Sequence, residues 1–407
     1  MPVICGKVYL RELINACIKF EEGKIIDIKK DIAGKKVDYG NAIIFPSAID
    51  VHVHFREPGF EYKEDFFTGT KAAVIAGITC VLDMPNNKPA IVSKKTFDEK
   101  VKKIKNKACI DYALYAGIKD KVEEMDCIAY KIFLSADNEM FCPPDKLKDI
   151  LQNVKKMGKP VAIHAELEDC ISREKAKNLE EHNMMRVKKC EVEAVKKVLE
   201  INSQINAKIH FCHITTKQAA ELINKKASFG VTLHHLLFST QSKFRMEALG
   251  KVNPPLRNEE TRRKLYNEFS SGKIPILESD HAPHLMEEKA DFIFAPSGMP
   301  GVDALLPVML YKVKNGEITL DMLHKMVCEN PAKFFGINKG SIEIGKDADF
   351  IVIDFKKIDK IKPLSKCGWS CYEGMPCIYP KDVYLRGEKI VEDGEFIGNK
   401  GKGKMIK

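Results

Sequence analysis

Short apolar runs alternate with amphipathic stretches through the middle of the chain. Residues 48–53, 78–82, 110–115, 128–134, 161–164, 208–213, 230–233 and 275–278 are apolar on both alternating faces, the pattern of strands covered on both sides. Between them, 66–76, 145–156, 191–201 and 217–224 place apolar residues at helical spacing. Eight strands with crossover helices predict an α/β chain folded as a (β/α)8 TIM-like barrel; an open doubly wound sheet can be written from the same alternation. The ends read differently. Residues 1–47 and 341–407 are short strand-like pieces broken at Glu22-Gly23, at 34–36, at Gly345 and at Gly387. Neither end can bury a core alone. Together they predict a small flanking β-sandwich, giving an organisation of 1–47, 48–340 and 341–407.

The length of 407 residues suits this division, since a barrel of this kind takes about 250 residues. With 44% hydrophobic and 30% charged residues, the composition is globular and excludes disordered, collagenous and coiled-coil classes. The longest apolar run, 42–49, is broken by Pro46 and falls short of the roughly 18 residues of a membrane span. Charges interrupt the N-terminus at once, so a cytoplasmic protein without a membrane partner is expected. The net charge of +9 comes mainly from lysines. Lys94 to Lys107 holds seven of them around Phe97, Val101 and Ile104, which reads as the solvated face of a helix and predicts no nucleic-acid partner. The tail 398–407 reads as frayed and solubilising. The 13 cysteines form no CxxC, and Cys367, Cys371 and Cys377 lack a fourth ligand nearby, so thiols buried in a reducing compartment are expected.

Chemistry enters at the strand ends, where barrels carry their sites. The first run closes on His52-Val53-His54, whose imidazoles point to one side of a strand and can reach one metal. A lone HxH is more often a pair of hydrogen-bonded histidines than a ligand pair. Here, however, His164 ends run five, His213 ends run six, Asp280 follows run eight, and Lys131 sits inside run four. Scattered core histidines do not account for that coincidence, and a metal centre does.

Lys131 admits three readings: a snorkelling lysine, a Schiff-base nucleophile, or a carbamate. Burial disfavours the ammonium and leaves a neutral amine able to take up carbon dioxide. The carbamate formed has two oxygens and can bridge two divalent cations roughly 3.5–4 Å apart; the surrounding histidines favour this form. Two zinc ions contribute about +4, and carbamate, Asp280 and hydroxide remove about three charges, leaving a site suited to a small anionic substrate.

Residues 50–79, DVHVHFREPGFEYKEDFFTGTKAAVIAGIT, and SDHAPH at 279–284 closely resemble the two signatures of the dihydroorotases, a family of amidohydrolases. MPNN at 84–87, VNPPLR at 252–257 and APSGMPG at 295–301 resemble further dihydroorotase segments. ENPAKFFGI and GSIEIGKDADFIVID resemble the passage from barrel to flanking β domain, so the resemblance spans nearly the whole chain. It implies a binuclear zinc enzyme that interconverts N-carbamoyl-L-aspartate and L-dihydroorotate in pyrimidine (UMP) synthesis. It further implies that His52 and His54 bind one zinc and His164 and His213 the other. Lys131, carboxylated, then bridges two Zn2+ per subunit, and Asp280 is ligand and general acid/base. Arg56, Asn86 and His284 would hold the substrate carboxylate, with Asn253, Ser297 and Gly298 on the ring. Some members use an aspartate as the bridge, for which Asp137 is the alternative. Leu233 and Val187 replace prolines usual in the family, and His234 and His235 read as structural.

Relatives that open uncharged rings, allantoinase and dihydropyrimidinase, share the barrel and ligands. Arg56 argues against them, because a guanidinium left unpaired in a closed pocket is costly. A scaffold that has lost its ligands is a different class of protein, and the complete ligand set argues against it. Association with aspartate transcarbamoylase and homo-oligomerisation are both compatible with a chain of this family.

Overall fold

The computed structural model describes residues 2–119, 121–136 and 138–407. Eight parallel strands follow one another around a barrel: Ala48–Val53, Ile78–Asp83, Asp111–Gly117, Ala129–Phe133, Val161–His164, Ile209–Phe211, Ser228–Thr232 and Ile276–Glu278. All eight lie where the apolar runs predict them. The last strand returns to the first through a parallel bridge of Val53 to His281 and a hydrogen bond from His54 N to His281 O at 2.8 Å. Nearly every strand residue is buried, because helices cover the outside while side chains fill the centre.

Helix starts follow local signals. Phe66–Ile75 begins after Asp65, whose carboxylate accepts from Phe67 N and Thr68 N, and Lys94–Ile104 begins after Ser93, each in a capping box. Leu147–Lys156, Lys188–Ser203, Lys217–Ile223, Glu259–Ser270 and Leu305–Lys314 follow strands four to eight.

A second eight-stranded sheet is built from both ends of the chain. Its order is Glu395–Phe396, Glu388–Glu392, Asp382–Leu385, Phe350–Ile353, Lys35–Pro46, Pro2–Tyr9, Leu13–Glu21, Lys24–Lys29. Pro2–Tyr9 and Lys35–Pro46 run parallel. Phe350–Ile353 pairs antiparallel with Lys35–Pro46 and so joins the two termini. Ile4, Val8, Ile18, Phe20, Ile44, Phe350 and Val352 form its own core, consistent with the flanking sandwich. Lys339 fastens sheet to barrel: its buried Nζ lies 2.8 Å from Asp111 of the third barrel strand, 2.9 Å from Asp347 and 2.6 Å from Asp349.

Three local expectations change. The tail is docked: Tyr112 N donates to Lys404 O at 3.0 Å and Ile406 N to Tyr112 O at 2.7 Å, so it extends the barrel's lower rim as a strap. Lys100 leaves the solvated face of its helix and is buried against Asp83 at 2.5 Å. Cys5 and Cys17, directly opposite in an antiparallel ladder, are joined as a disulfide, while the other eleven cysteines are free thiols.

Candidate active site

At the upper end of the barrel, strand ends enclose a cavity of about 160 Å³. It is lined by His52, His54, Lys131, His164, His213 and Asp280, by Arg56, Asn86, Asn253, Ser297 and Gly298, and by Phe133, Asn138 and Ala282. The residues singled out in the sequence thus converge here, with His284 behind Arg56 at the edge. Asp137 lies outside the described residues.

The geometry has two halves. Nε2 of His52 and Nε2 of His54 approach the same Oδ1 of Asp280, at 3.3 and 3.2 Å. Opposite, Nδ1 of His164 lies 3.1 Å from Nε2 of His213. The ring centroids of His52 and His213, 5.3 Å apart, connect the halves. Burial holds His52, His54 and His213 below the usual histidine range, which leaves neutral imidazoles, the form that binds metal. The ligand atoms of His52, His54 and Asp280 lie within 4.8 Å of one another, as do those of His52, Cys212 and His213. Imidazole nitrogens and a carboxylate gathered around a narrow space, with His54 Nδ1 and His213 Nδ1 buried and without hydrogen-bond partners, fit divalent cations. Lys131 is fully buried; its Nζ donates to Cys212 Sγ at 3.0 Å and lies 4.8 Å above the Phe133 ring.

Buried carboxylates aim the imidazoles. His164 donates from Nε2 to Glu166 at 2.8 Å, and Arg186 grips the same carboxylate at 2.7 Å, leaving Nδ1 toward the cavity. Burial alone would raise Glu166, but Arg186 and His164 hold it well below the carboxylate range. Glu278 accepts from His213 N at 2.5 Å and faces Nδ1 of His52 at 3.4 Å and Nε2 of His210 at 3.3 Å. His52 and His210 hold it low against the opposing effect of burial. Gly230 makes room for that carboxylate, since a Cβ there would sit 2.5 Å from it.

Three lining residues have left-handed backbones: Arg56 at φ 64°, His213 at 38° and Asp280 at 45°. Each costs roughly 1–3 kcal/mol for a non-glycine residue. The surroundings impose them. Phe55 N donates to Asp83 at 2.7 Å, His213 N to Glu278, and Ser279 N to Asp50 at 3.1 Å. The turns aim a guanidinium, an imidazole and a carboxylate inward from the ends of three strands.

The other wall is cationic and amide-rich. Arg56 donates from Nε to Pro283 O at 3.0 Å and from Nη2 to His284 at 3.0 Å. Burial pushes the guanidinium down to about 10, so it stays charged at neutral pH. Asn253 accepts from Ser297 Oγ at 3.1 Å and meets Nε2 of His182 at 2.9 Å. Gly298 has φ 139°, and a Cβ there would lie 2.6 Å from Ala282 O, so the loop can press close. Sequence reading passed over Glu166, Glu278 and Lys100. A charged residue inside an apolar strand, the signal that picks out Lys131, also marks Glu278 in Ile276–Glu278.

A sequence model of the amidohydrolase family matches residues 43–370. The dihydroorotase of Methanosarcina acetivorans is 34% identical, covering 98% of this chain and 93% of its own length. That of Pyrococcus horikoshii is 38% identical over 99% and 95%. Among solved structures, the L-hydantoinase (dihydropyrimidinase) of Arthrobacter aurescens superposes with a TM-score of 0.92 at 25% identity, covering 99% of both chains.

Proposed function

Since the chain belongs to the amidohydrolase family, and within it to the dihydroorotases, we propose that it interconverts N-carbamoyl-L-aspartate and L-dihydroorotate. A hydrolase of a cyclic amide needs a group that tells one ring from another. The observation that carries this reading is Arg56, a half-buried guanidinium fixed by Pro283 and His284 at the cavity wall. It matches a ring bearing a carboxylate, through paired charge-assisted hydrogen bonds. A hydantoin or dihydrouracil ring would leave it unpaired.

His52, His54 and Asp280 would hold one zinc and His164 and His213 another, with Lys131, carboxylated, between them. Bound there, the metals would supply Lewis acidity and a water acidic enough to attack at neutral pH. The chain's own residues supply the rest. Arg56, Asn86 and His284 hold the carboxylate and so set which face of the ring amide meets the barrel centre. Asn253 and the Ser297-Gly298 backbone bind the ring edge. In ring opening, water adds through oxygen to the amide carbon while Asp280 takes its proton. Asp280 returns that proton to the ring nitrogen as the carbon–nitrogen bond breaks, giving carbamoyl aspartate; ring closure is the reverse. Burial raises the Asp280 carboxyl while His52 counters it, which suits a group that must both take and give a proton. The test is an absorbance assay of ring opening on L-dihydroorotate, allantoin and dihydrouracil, with metal content measured on the same sample. Turnover of dihydroorotate alone, with about two metals per chain, is the expected result. A metal-loaded enzyme that opens only the uncharged rings would replace this substrate.

A further inference from the structure

A lysine lies buried behind the loop that carries Ser297 and Gly298. Lys289 has no exposed surface, and among the described residues no carboxylate is within ion-pair distance of it. Its Nζ donates to Pro296 O at 2.7 Å and to Lys251 O at 3.2 Å. Those carbonyls flank the pocket: Pro296 directly precedes Ser297, and Lys251 stands two residues before Asn253. Gly298 N donates to the same Lys251 O at 2.9 Å, and Ser297 Oγ reaches Asn253 Oδ1 at 3.1 Å. One amine therefore ties together the two segments that line the same side of the cavity. An ammonium buried without a counter-ion is expensive, and an apolar side chain would be cheaper there. Burial pushes this amine down to about 7; of the groups facing it, Cys371 and Glu288 favour its charge, while Lys251 and Arg56 oppose it.

We propose that Lys289 is a positioning residue for the substrate: it clamps the 296–298 loop onto the 251–253 segment, fixing Ser297, Gly298 and Asn253 at the spacing the ring requires. This rests on the dihydroorotate reading for its ligand, though the clamp itself does not.

The test uses full-length, metal-loaded Lys289→Met, Lys289→Gln and Lys289→Arg beside wild type. In Lys289→Met the KM for L-dihydroorotate should rise about tenfold, as expected when hydrogen bonds that hold a binding loop are lost, while kcat changes far less. Lys289→Arg, which keeps a cation and donors, should recover part of the KM. Amide hydrogen exchange without substrate should be faster at 296–298 in Lys289→Met. Unchanged KM and unchanged exchange would overturn the proposal, as would a fall in kcat alone. If Lys289→Met does not fold, Lys289→Gln is judged by the same readouts. Wild type that turns over no dihydroorotate would refute the substrate reading, and the exchange measurement would still decide the clamp.

Discussion

Arg56 donates from Nη2 to Nε2 of His284 across 3.0 Å. Nε2 of His284 also lies 3.2 Å from Ser297 O, and its Nδ1 lies 3.1 Å from Lys63 Nζ, so the imidazole is wedged between two cations and a carbonyl. Burial and the neighbouring Arg56 both keep this imidazole neutral. With Nε also committed to Pro283 O, the guanidinium is held in one orientation at the cavity wall. Replacing Arg56 by Gln should therefore act on binding. Loss of a charged hydrogen bond removes roughly 1.5–3 kcal/mol, so KM for dihydroorotate should rise by about ten- to a hundredfold. Lys at this position should restore little, lacking the planar fork. Steady-state kinetics separates KM from kcat.

Asp280 is the group placed to move the proton. Asp280→Asn should lower kcat by about 10² to 10⁴. Because its backbone turn is imposed by Ser279 and Asp50, the fold should persist, checked by circular dichroism and by the thermal midpoint of metal-free protein.

Lys100 and Asp83 form a fully buried pair, and Lys100 also reaches Asn87 at 2.7 Å while Asp83 holds Phe55 N. Lys100→Met leaves Asp83 uncompensated and should destabilise by about 3–5 kcal/mol. The double variant Lys100→Met, Asp83→Leu should recover part of that in denaturant titrations. Full additivity of the two single effects would contradict the pairing.

His182 is pushed down to about 4 by burial, and its Nε2 meets Asn253. Its folded value lies below the unfolded one of about 6.5, so the unfolded state takes up the proton first. This residue's contribution to stability is thus intact above pH ~6.5 and falls as pH drops toward ~4. The stability difference between wild type and His182→Gln should narrow across that window in urea titrations at successive pH values. A constant difference would contradict the assignment.

The tail makes hydrogen bonds from Gly403 N to Ala108 O at 2.9 Å and from Lys404 N to Asp111 at 2.8 Å, besides its bonds to Tyr112. At about 1 kcal/mol each, deletion of residues 399–407 should lower the unfolding free energy by a few kcal/mol. A truncated chain with the wild-type midpoint would show that the strap does not matter.

The barrel was legible because parallel strands covered on both faces must be apolar along their whole length, so a polar residue at their ends stands out, as His164, His213 and Asp280 do. What escaped depends on partners distant in sequence. Lys100 looks solvated until Asp83 is placed beneath it, 17 residues away. Cys5 and Cys17 become neighbours only through strand register. The tail's glycines and lysines read as a loose end because its hydrogen bonds go through backbone, which leaves no side-chain pattern. Glu166 and Glu278 act by aiming other residues, and Lys289 by holding carbonyls.

The central claim is that Arg56 selects a carboxylate-bearing ring for a metal-assisted amide hydrolysis. The most direct measurement is kcat/KM for L-dihydroorotate against dihydrouracil, in wild type and in Arg56→Gln loaded with the same metal. The account predicts strong preference for dihydroorotate in wild type, and its collapse in the variant through a raised KM for dihydroorotate. A preference that survives the substitution, or wild type that favours dihydrouracil, would contradict it.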